Sequence, residues 1–163
     1  MNGSEKLYQL LDDLTIPFEY IEHPAAPTID IARQYWKGHD AKHCKNLFFR
    51  NHKGNRHYLV ILDCDCDMAI HSIEKQLRQG KLSFASDHRL MKYLGVTPGS
   101  VTPFGLINDD EHHVYVFLDV NLQHAQRLSF HPCINTASLI VSKDDFLRFM
   151  AYCQNQYEWI ALY

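Results

Sequence analysis

Apolar and polar positions alternate along this chain in two rhythms. Leu7, Leu10, Leu11 and Leu14 keep the three-to-four spacing of a helix face behind Ser4, whose hydroxyl suits an N-cap. Pro17 stops that run, and residues 18–21 read as a short strand. Thr28 reads as the cap of a second helix over 29–36, ended near Gly38. Segments 45–50 and 57–63 predict two strands joined by a turn at 52–55. A helix follows over 70–79, closed by Gly80, and Ser86 or Asp87 caps another that reaches Leu94 and closes at Gly95. Residues 96–105 hold Pro98, Gly99, Pro103 and Gly105, which predicts a rigid loop without regular structure. Residues 113–118 make a strong strand, 121–126 a helical turn, and 129–130 and 137–141 two more strands. Ser142 caps a final helix through Phe149, with Asp144 and Asp145 in its first turn, where the helix dipole favours acids.

Strands and helices alternate, yet several strand pairs are hairpin-like. That predicts a mixed sheet with helices packed on it, an α/β architecture of mixed α+β type. No repeat, low-complexity tract or Pro/Gly/Ser-rich linker divides the chain, so residues 1–163 read as one domain. An apolar share of 46% is enough for a core and excludes wholesale disorder. No apolar run approaches the roughly 18 residues of a membrane helix. The N-terminus lacks a basic flank before an apolar run, so a cytoplasmic location is expected.

Five cysteines without framework spacing, and no C-x-x-C pair, argue against a disulfide scaffold, a thioredoxin-type motif and a zinc ribbon. The formal net charge is −3, but its distribution is uneven. Residues 37–57 carry Lys37, Lys42, Lys45, Arg50, Lys53 and Arg56 against Asp40 alone. His39, His43, His52 and His57, with His71 nearby, add donors. Such a segment is either a basic face that steers an anionic ligand or a solvated loop and hairpin edge.

Candidate chemistry narrows as follows. Cys133 and Cys44 read as buried structural thiols, since no base is placed beside either. The run Asp63-Cys64-Asp65-Cys66-Asp67, taken as a strand, puts its acids on one face and its thiols on the other. That suits neither a zinc–thiolate site nor an oxygen cage, and no metal is expected. His112 and His113 fall in a hairpin turn and point apart. The loop from Gly95 to Gly105 is neither a Walker A loop nor a dinucleotide fingerprint. Its glycines permit close backbone approach, and its backbone N–H groups could hold an anion or oxyanion; a plain structural turn fits equally. Lys45 opens an otherwise apolar strand with Asn46, Leu47, Phe48 and Phe49, and either snorkels to solvent or reaches a phosphate.

Three stretches together carry a resemblance. Lys45-Asn46-Leu47-Phe48-Phe49, then Gly95-Val96-Thr97-Pro98-Gly99-Ser100-Val101-Thr102-Pro103-Phe104-Gly105-Leu106, then His131-Pro132 with Asn135-Thr136, resemble the YbaK-like aminoacyl-tRNA deacylases. Within that family the free-standing prolyl-tRNA editing group (ProX or PrdX) looks nearest, and Glu22-His23-Pro24 with Thr28 fits it too. The resemblance runs from about Leu7 to Phe149 and leaves the tail from Tyr152 unmatched. It implies a compact domain with a partly barrel-like mixed sheet surrounded by helices. It implies hydrolysis of an aminoacyl ester, with neither metal nor organic cofactor, using a positioned water and the terminal ribose hydroxyl. By position, Lys45 would hold the tRNA 3′ end or orient the ester. Asn46 and His131 would line the amino-acid pocket. Gly99 and Ser100 would grip the aminoacyl group and present backbone donors, with Phe48, Thr97, Pro98, Val101 and Thr102 around the substrate.

The expected substrate is alanine mischarged on tRNA(Pro). The partners implied are the tRNA acceptor end and prolyl-tRNA synthetase, with no membrane, for a monomer or weak dimer. Two alternatives stay open: a deacylase for cysteine or serine, and a non-catalytic module that binds tRNA or the synthetase.

Overall fold

The computed structural model describes residues 1–25, 29–66 and 70–161. Helix α1, Glu5–Asp13, starts where Ser4 Oγ accepts the Leu7 N–H, and it buries Leu7 and Leu11. Strand β1 (Glu19–Glu22) and helix α2 (Ile29–Trp36) follow. The cap expected at Thr28 lies outside the described residues. Strands β2 (Lys42–Arg50) and β3 (His57–Asp63) pair antiparallel, Cys44 opposite Asp63 through Arg50 opposite His57. Helix α3 is Ile70–Leu77, and Ser83–Phe84 forms a two-residue strand β4 against the end of β2. Helix α4, Asp87–Leu94, is capped by Ser86 and ends on Gly95 in the left-handed conformation.

Strands β5 (Tyr115–Asp119), β6 (Arg127–Phe130) and β7 (Ala137–Ser142) precede helix α5 (Lys143–Cys153) and strand β8 (Tyr157–Ile160). The strand order is β1-β7-β6-β2-β3-β5-β8, with β4 attached to β2. Pairings β2–β6, β3–β5 and β5–β8 are parallel and the others antiparallel, so the sheet is mixed, as the alternation of elements predicts. Its two wings meet at β2 and wrap one core. Leu128, Phe130 and Leu139 of one wing and Leu59, Ile61, Val116 and Leu118 of the other share it with α1, α4 and α5. Phe104 sits at its centre, edge-on to Phe130 and Phe149 with centroids 5.7 and 5.2 Å apart. A second cluster, Phe49, Val60, Leu62, Ile73, Leu82 and Phe117, lies on the outer face under α3. Among the described residues the sheet does not close, since β1 and β8 stand at the two ends of the strand order.

Several expectations need correction. The stretch called a loop is regular at its end: Pro103–Asn108 is a 3-10 helix, begun where Thr102 Oγ accepts the Phe104 N–H at 3.2 Å. Pro103 at its first position favours that start. Asp63 ends β3, and residues 63–66 form a turn in which Asp65 N–H bonds Asp63 Oδ1. The acids therefore do not share one strand face. His112 belongs to a turn closed on Asp109, but β5 then pairs in parallel with β3 and β8, so no hairpin forms there. Among the described residues, the tail that the motifs leave unmatched holds the end of α5 and strand β8. Buried Asn155 anchors it by donating to Asp109 Oδ2 and Val114 O, both at 2.8 Å.

The basic segment is not one face. Lys42 and Arg50 stand at opposite ends of β2, about 25 Å apart at the usual rise per residue. Lys42 pairs with Asp63 at 2.9 Å, while Arg50 bonds backbone carbonyls at Asn51 and His52. Among the described residues no helix is long and apolar enough to cross a membrane.

Candidate functional site

Strand β2 pairs with β6 only at Lys42 and His43, then parts from it and continues along β3. A small cavity of about 20 Å³ lies where the two strands separate. Cys44 and Asn46 of β2, Ser129 and Phe130 of β6, the following His131, and Ser138 of β7 line it, with Trp36 and His43 above. Strand alternation explains only part of the set, since Cys44, Asn46 and Phe130 have the opposite parity. His43 lies beside Ser129 in register, so both face outward, and His131 and Ser138 continue that face. Lys45 issues from the same face two residues after His43. Its Nζ donates to Cys66 O at 3.0 Å, among other contacts.

The electrostatics of the lining are unusual. Among the described residues, the buried side-chain atoms without a hydrogen-bond partner are both ring nitrogens of His43, Asn46 Oδ1 and Asn155 Oδ1. Three of these four belong to residues lining this one cavity. An unpaired buried polar atom costs about 1–3 kcal/mol, so each of these atoms would gain from a hydrogen-bonding group placed in the cavity. Trp36 stacks flat on His43 with centroids 3.9 Å apart. Burial pushes the His43 imidazole down to about 4, so the ring is neutral at pH 7.

His131 is lowered too, first by burial, against the opposing bond to Ala137 O and with a smaller push from His23. Its Nδ1 lies 2.8 Å from Ala137 O. A carbonyl only accepts, so Nδ1 carries the proton and Nε2 keeps a lone pair. The same logic applies to His23, whose Nδ1 donates to Pro24 O at 2.9 Å. In the neutral ring Nε2 then accepts from Ser138 Oγ, also at 2.9 Å, and the lone pairs of that hydroxyl stay available.

The glycine-proline loop approaches from the side. Thr97 to Ser100 form a tight turn closed by Ser100 N–H on Thr97 O at 3.1 Å, with Gly99 at φ +86°. Pro then Gly at the two central positions is the type II pattern. A Cβ on Gly99 would stand 3.4 Å from Asn135 Nδ2, which places the turn against the segment that carries His131. Thr97, Pro98 and Gly99 are exposed, Val101 packs on the core, and Ser100 and Thr102 are buried. None of these lines the cavity itself. Ser100 N–H closes the turn and Thr102 caps the 3-10 helix, which leaves Gly99 as the non-proline N–H at the turn's tip. Phe48 is a core side chain under His57 and Tyr93, away from the cavity.

The structure thus joins Asn46 to His131, sets Lys45 on the strand face that carries His43 and leans the Gly99 turn on Asn135. Sequence reasoning missed Trp36, Ser129 and Ser138, and counted His43 only as a donor in a basic patch. A signal existed for two of them: Ser129 and Ser138 are polar residues between apolar neighbours within their strands. Cys44, Cys64, Cys133 and Cys153 all have thiols pushed up by burial, Cys133 to about 11, so none is a thiolate at neutral pH. Asp63, Cys64 and Asp65 cluster, but Lys42 already pairs with Asp63 and Arg33 with Asp65.

The comparisons with known proteins decide the family. Residues 23–149 match the aminoacyl-tRNA editing domain. The chain belongs to that family. It is 35% identical over 162 residues to the prolyl-tRNA editing protein ProX of Acetoanaerobium sticklandii, covering 99% of both chains. It is 33% identical over 156 residues to the prolyl-tRNA synthetase associated domain-containing protein 1 of Mus musculus, covering 92% of each. A solved structure described as a candidate trans-editing enzyme for prolyl tRNA synthetase shares the fold. Its TM-score is 0.72 at 17% identity, over 99% of this chain and 98% of that one.

Proposed function

We propose that this chain, as one editing domain over residues 1–163, hydrolyses alanine from mischarged tRNA(Pro). The observation that carries the reading is the small cavity between Asn46 and His131, where Asn46 Oδ1 and both His43 ring nitrogens have no hydrogen-bond partner. Membership of the editing family and the likeness to ProX support it. The cavity has room for one water-sized group. One small substituent of an alanyl group, a methyl or an ammonium, matches that size, and the pyrrolidine ring of a prolyl ester does not. A synthetase pocket made for proline cannot strongly reject smaller alanine, because a missing methylene is worth only about 1–3 kcal/mol. A second, tighter site then separates the two by size.

The ester is activated already, so orientation and charge stabilisation suffice. Water adds to the carbonyl carbon, the bond to the ribose oxygen breaks, and alanine and a free ribose hydroxyl result. The terminal ribose hydroxyl relays the proton from the water. Asn46 and His131 bound the aminoacyl group, and Lys45 on the rim meets the phosphate of the 3′ end. Gly99 N–H faces the carbonyl oxygen, and one donor of that kind is worth about 3–4 kcal/mol at the transition state. Ser100, Thr102, Thr97, Pro98 and Val101 hold the turn in shape, and Phe48 serves the core under His57 and Tyr93. No step uses a metal, an organic cofactor or a thiolate. The protein partner consistent with these relatives is prolyl-tRNA synthetase, and the working compartment is the cytoplasm.

The test is release of the amino acid from Ala-tRNA(Pro) and Pro-tRNA(Pro), with Cys- and Ser-tRNA(Pro) as further arms. Fast loss of alanine alone is expected. Loss of all esters at the rate of buffer overturns the reading, and faster loss of cysteine or serine than of alanine reassigns the substrate. Lys45→Ala should lower deacylation at least tenfold with little change in melting temperature; full activity would remove Lys45 from the mechanism.

A further inference from the structure

We propose that a second cavity, beside His57 and His113 at the far end of the β2–β3 pair, is a binding site for a phosphate group. It is separate from the aminoacyl pocket and stands whether or not the chain is a deacylase. His57 is in register with Arg50, which ends β2 about 25 Å along the strand from Lys42. The cavity measures about 100 Å³. Arg56, His57, Tyr58, His112, His113 and Gln156 stand on its walls, and among the described residues that line it there is no acid.

A chain of hydrogen bonds fixes the direction of the donors. Arg89 Nη1 donates to Gly54 O at 2.9 Å and to His57 Nε2 at 2.8 Å. A guanidinium only donates, so His57 Nε2 accepts and the neutral ring carries its proton on Nδ1. That proton goes to His113 Nε2, 2.9 Å away. His113 Nε2 therefore accepts, and the proton of its own ring sits on Nδ1. The relay ends as an N–H donor on a residue of the cavity wall. The same chain excludes a metal ion between the two rings. A bound cation would need the His57 Nδ1 lone pair and would put a proton on Nε2, against the Arg89 guanidinium.

The surrounding charge also favours an anion. Arg56 is exposed at the mouth, and its backbone is held by Asn51, whose Oδ1 accepts the N–H groups of Asn55 and Arg56 at 3.0 and 3.1 Å. After burial, His113, Arg89, Lys92 and Arg50 all push the His57 imidazole down, as a positive neighbourhood does. Asp109 in the adjoining turn is buried, and its Oδ2 accepts from Val114 N–H and Asn155 Nδ2, both at 2.8 Å. Asp110 and Glu111 of that turn and Glu158 of β8 are exposed and off the wall. A guanidinium fork from the hairpin and an imidazole N–H from the strand opposite suit a tetrahedral oxyanion, which accepts from several directions at once.

The experiment follows the imidazole signals of the nitrogen-15-labelled protein as sodium phosphate is added at neutral pH, with sodium chloride and sodium acetate at equal ionic strength as controls. The expected result is a saturable shift at His113 and His57, with an affinity at least tenfold above that for acetate, while His43 and His131 stay in place. Arg56→Gln changes an exposed side chain, so it should keep the parental melting temperature and weaken phosphate binding at least tenfold. His113→Phe should abolish the shift at His57. Competition then names the carrier, and each result supports the site. Displacement by uncharged tRNA(Pro) assigns the group to an RNA backbone, displacement by adenosine monophosphate alone to a free nucleotide, and displacement by neither to inorganic phosphate. A response no larger than in chloride, an equal response to acetate, or parental affinity in Arg56→Gln overturns the proposal. So does a phosphate shift confined to His43 and His131.

Discussion

Two buried imidazoles make a quantitative claim about acid. His43 and His57 are each pushed down from 6.5 to about 4, in both cases mainly by burial. His57 is 1% exposed and sits in a relay: Arg89 donates to its Nε2 at 2.8 Å, and its Nδ1 donates to His113 Nε2 at 2.9 Å. Unfolded, each ring takes a proton near pH 6.5; folded, neither does until about pH 4. Their stabilising effect is therefore complete above pH 6.5 and declines as the pH falls through that window. Between pH 7 and 4.5 each ring should cost about 2–2.5 kcal/mol, or about 5 kcal/mol for the two together. Lowered His131 adds to the same trend. At about 2–4 °C per kcal/mol for a domain of this size, the melting temperature should fall by roughly 10–20 °C. Urea unfolding at pH 7, 5.5 and 4.5 reads the effect directly. Glu19, Asp65 and Glu74, which arginine, histidine and backbone partners hold below the usual range, contribute in more acid solution. His57→Gln separates the terms: its stability should depend less steeply on pH than that of the parent, by about 2 kcal/mol across the interval. Parallel pH profiles for the two proteins would refute the claim that His57 is held neutral.

Further outcomes follow from the glycine-proline loop and the tail. Gly105→Ala should lower the melting temperature by roughly 2–12 °C, because a Cβ there meets Leu94 O at 2.6 Å and overpacking of that kind costs about 1–3 kcal/mol. Thermal denaturation checks it, and an unchanged transition would show that the 3-10 helix shifts freely. Gly99→Ala should behave differently. Its left-handed φ costs only about 1–2 kcal/mol, while the displaced turn should reduce deacylation at least tenfold; steady-state hydrolysis of Ala-tRNA(Pro) with parental kinetics would sever the turn from the reaction. Asn155→Ala removes the bonds to Asp109 and Val114 and should cost about 2–4 kcal/mol. Amide exchange should rise in Tyr157–Ile160 before the rest of the sheet, and uniform exchange would count against β8 as a separately anchored strand.

Local rules explain what could be read without coordinates. Ser4, Ser86 and Ser142 announce three helix starts, since a cap needs only its own hydroxyl and the N–H three residues on. The strand 57–63 and the helix 29–36 have the predicted bounds, and Gly95 ends α4 in the left-handed conformation. Lys45-Asn46, the Gly95–Gly105 motif and His131 were enough to suggest the editing family, because those residue types recur together in that order.

The remainder is decided by pairings between distant segments, which no local spacing encodes. The departure of β2 from β6 after His43 opens the cavity, and nothing near residue 43 announces that β6 is its neighbour. Ser138 is left with only acceptor capacity because its O–H donates to His23, 115 residues away. His131 gains its tautomer from Ala137 and its neutrality from burial. The basic run around β2 looks like a single patch in the linear chain, but an extended strand carries its ends some 25 Å apart. Side-chain identity along the chain thus set the elements and the chemical inventory. Which atoms face one another, and which stay unpaired, followed from long-range packing alone.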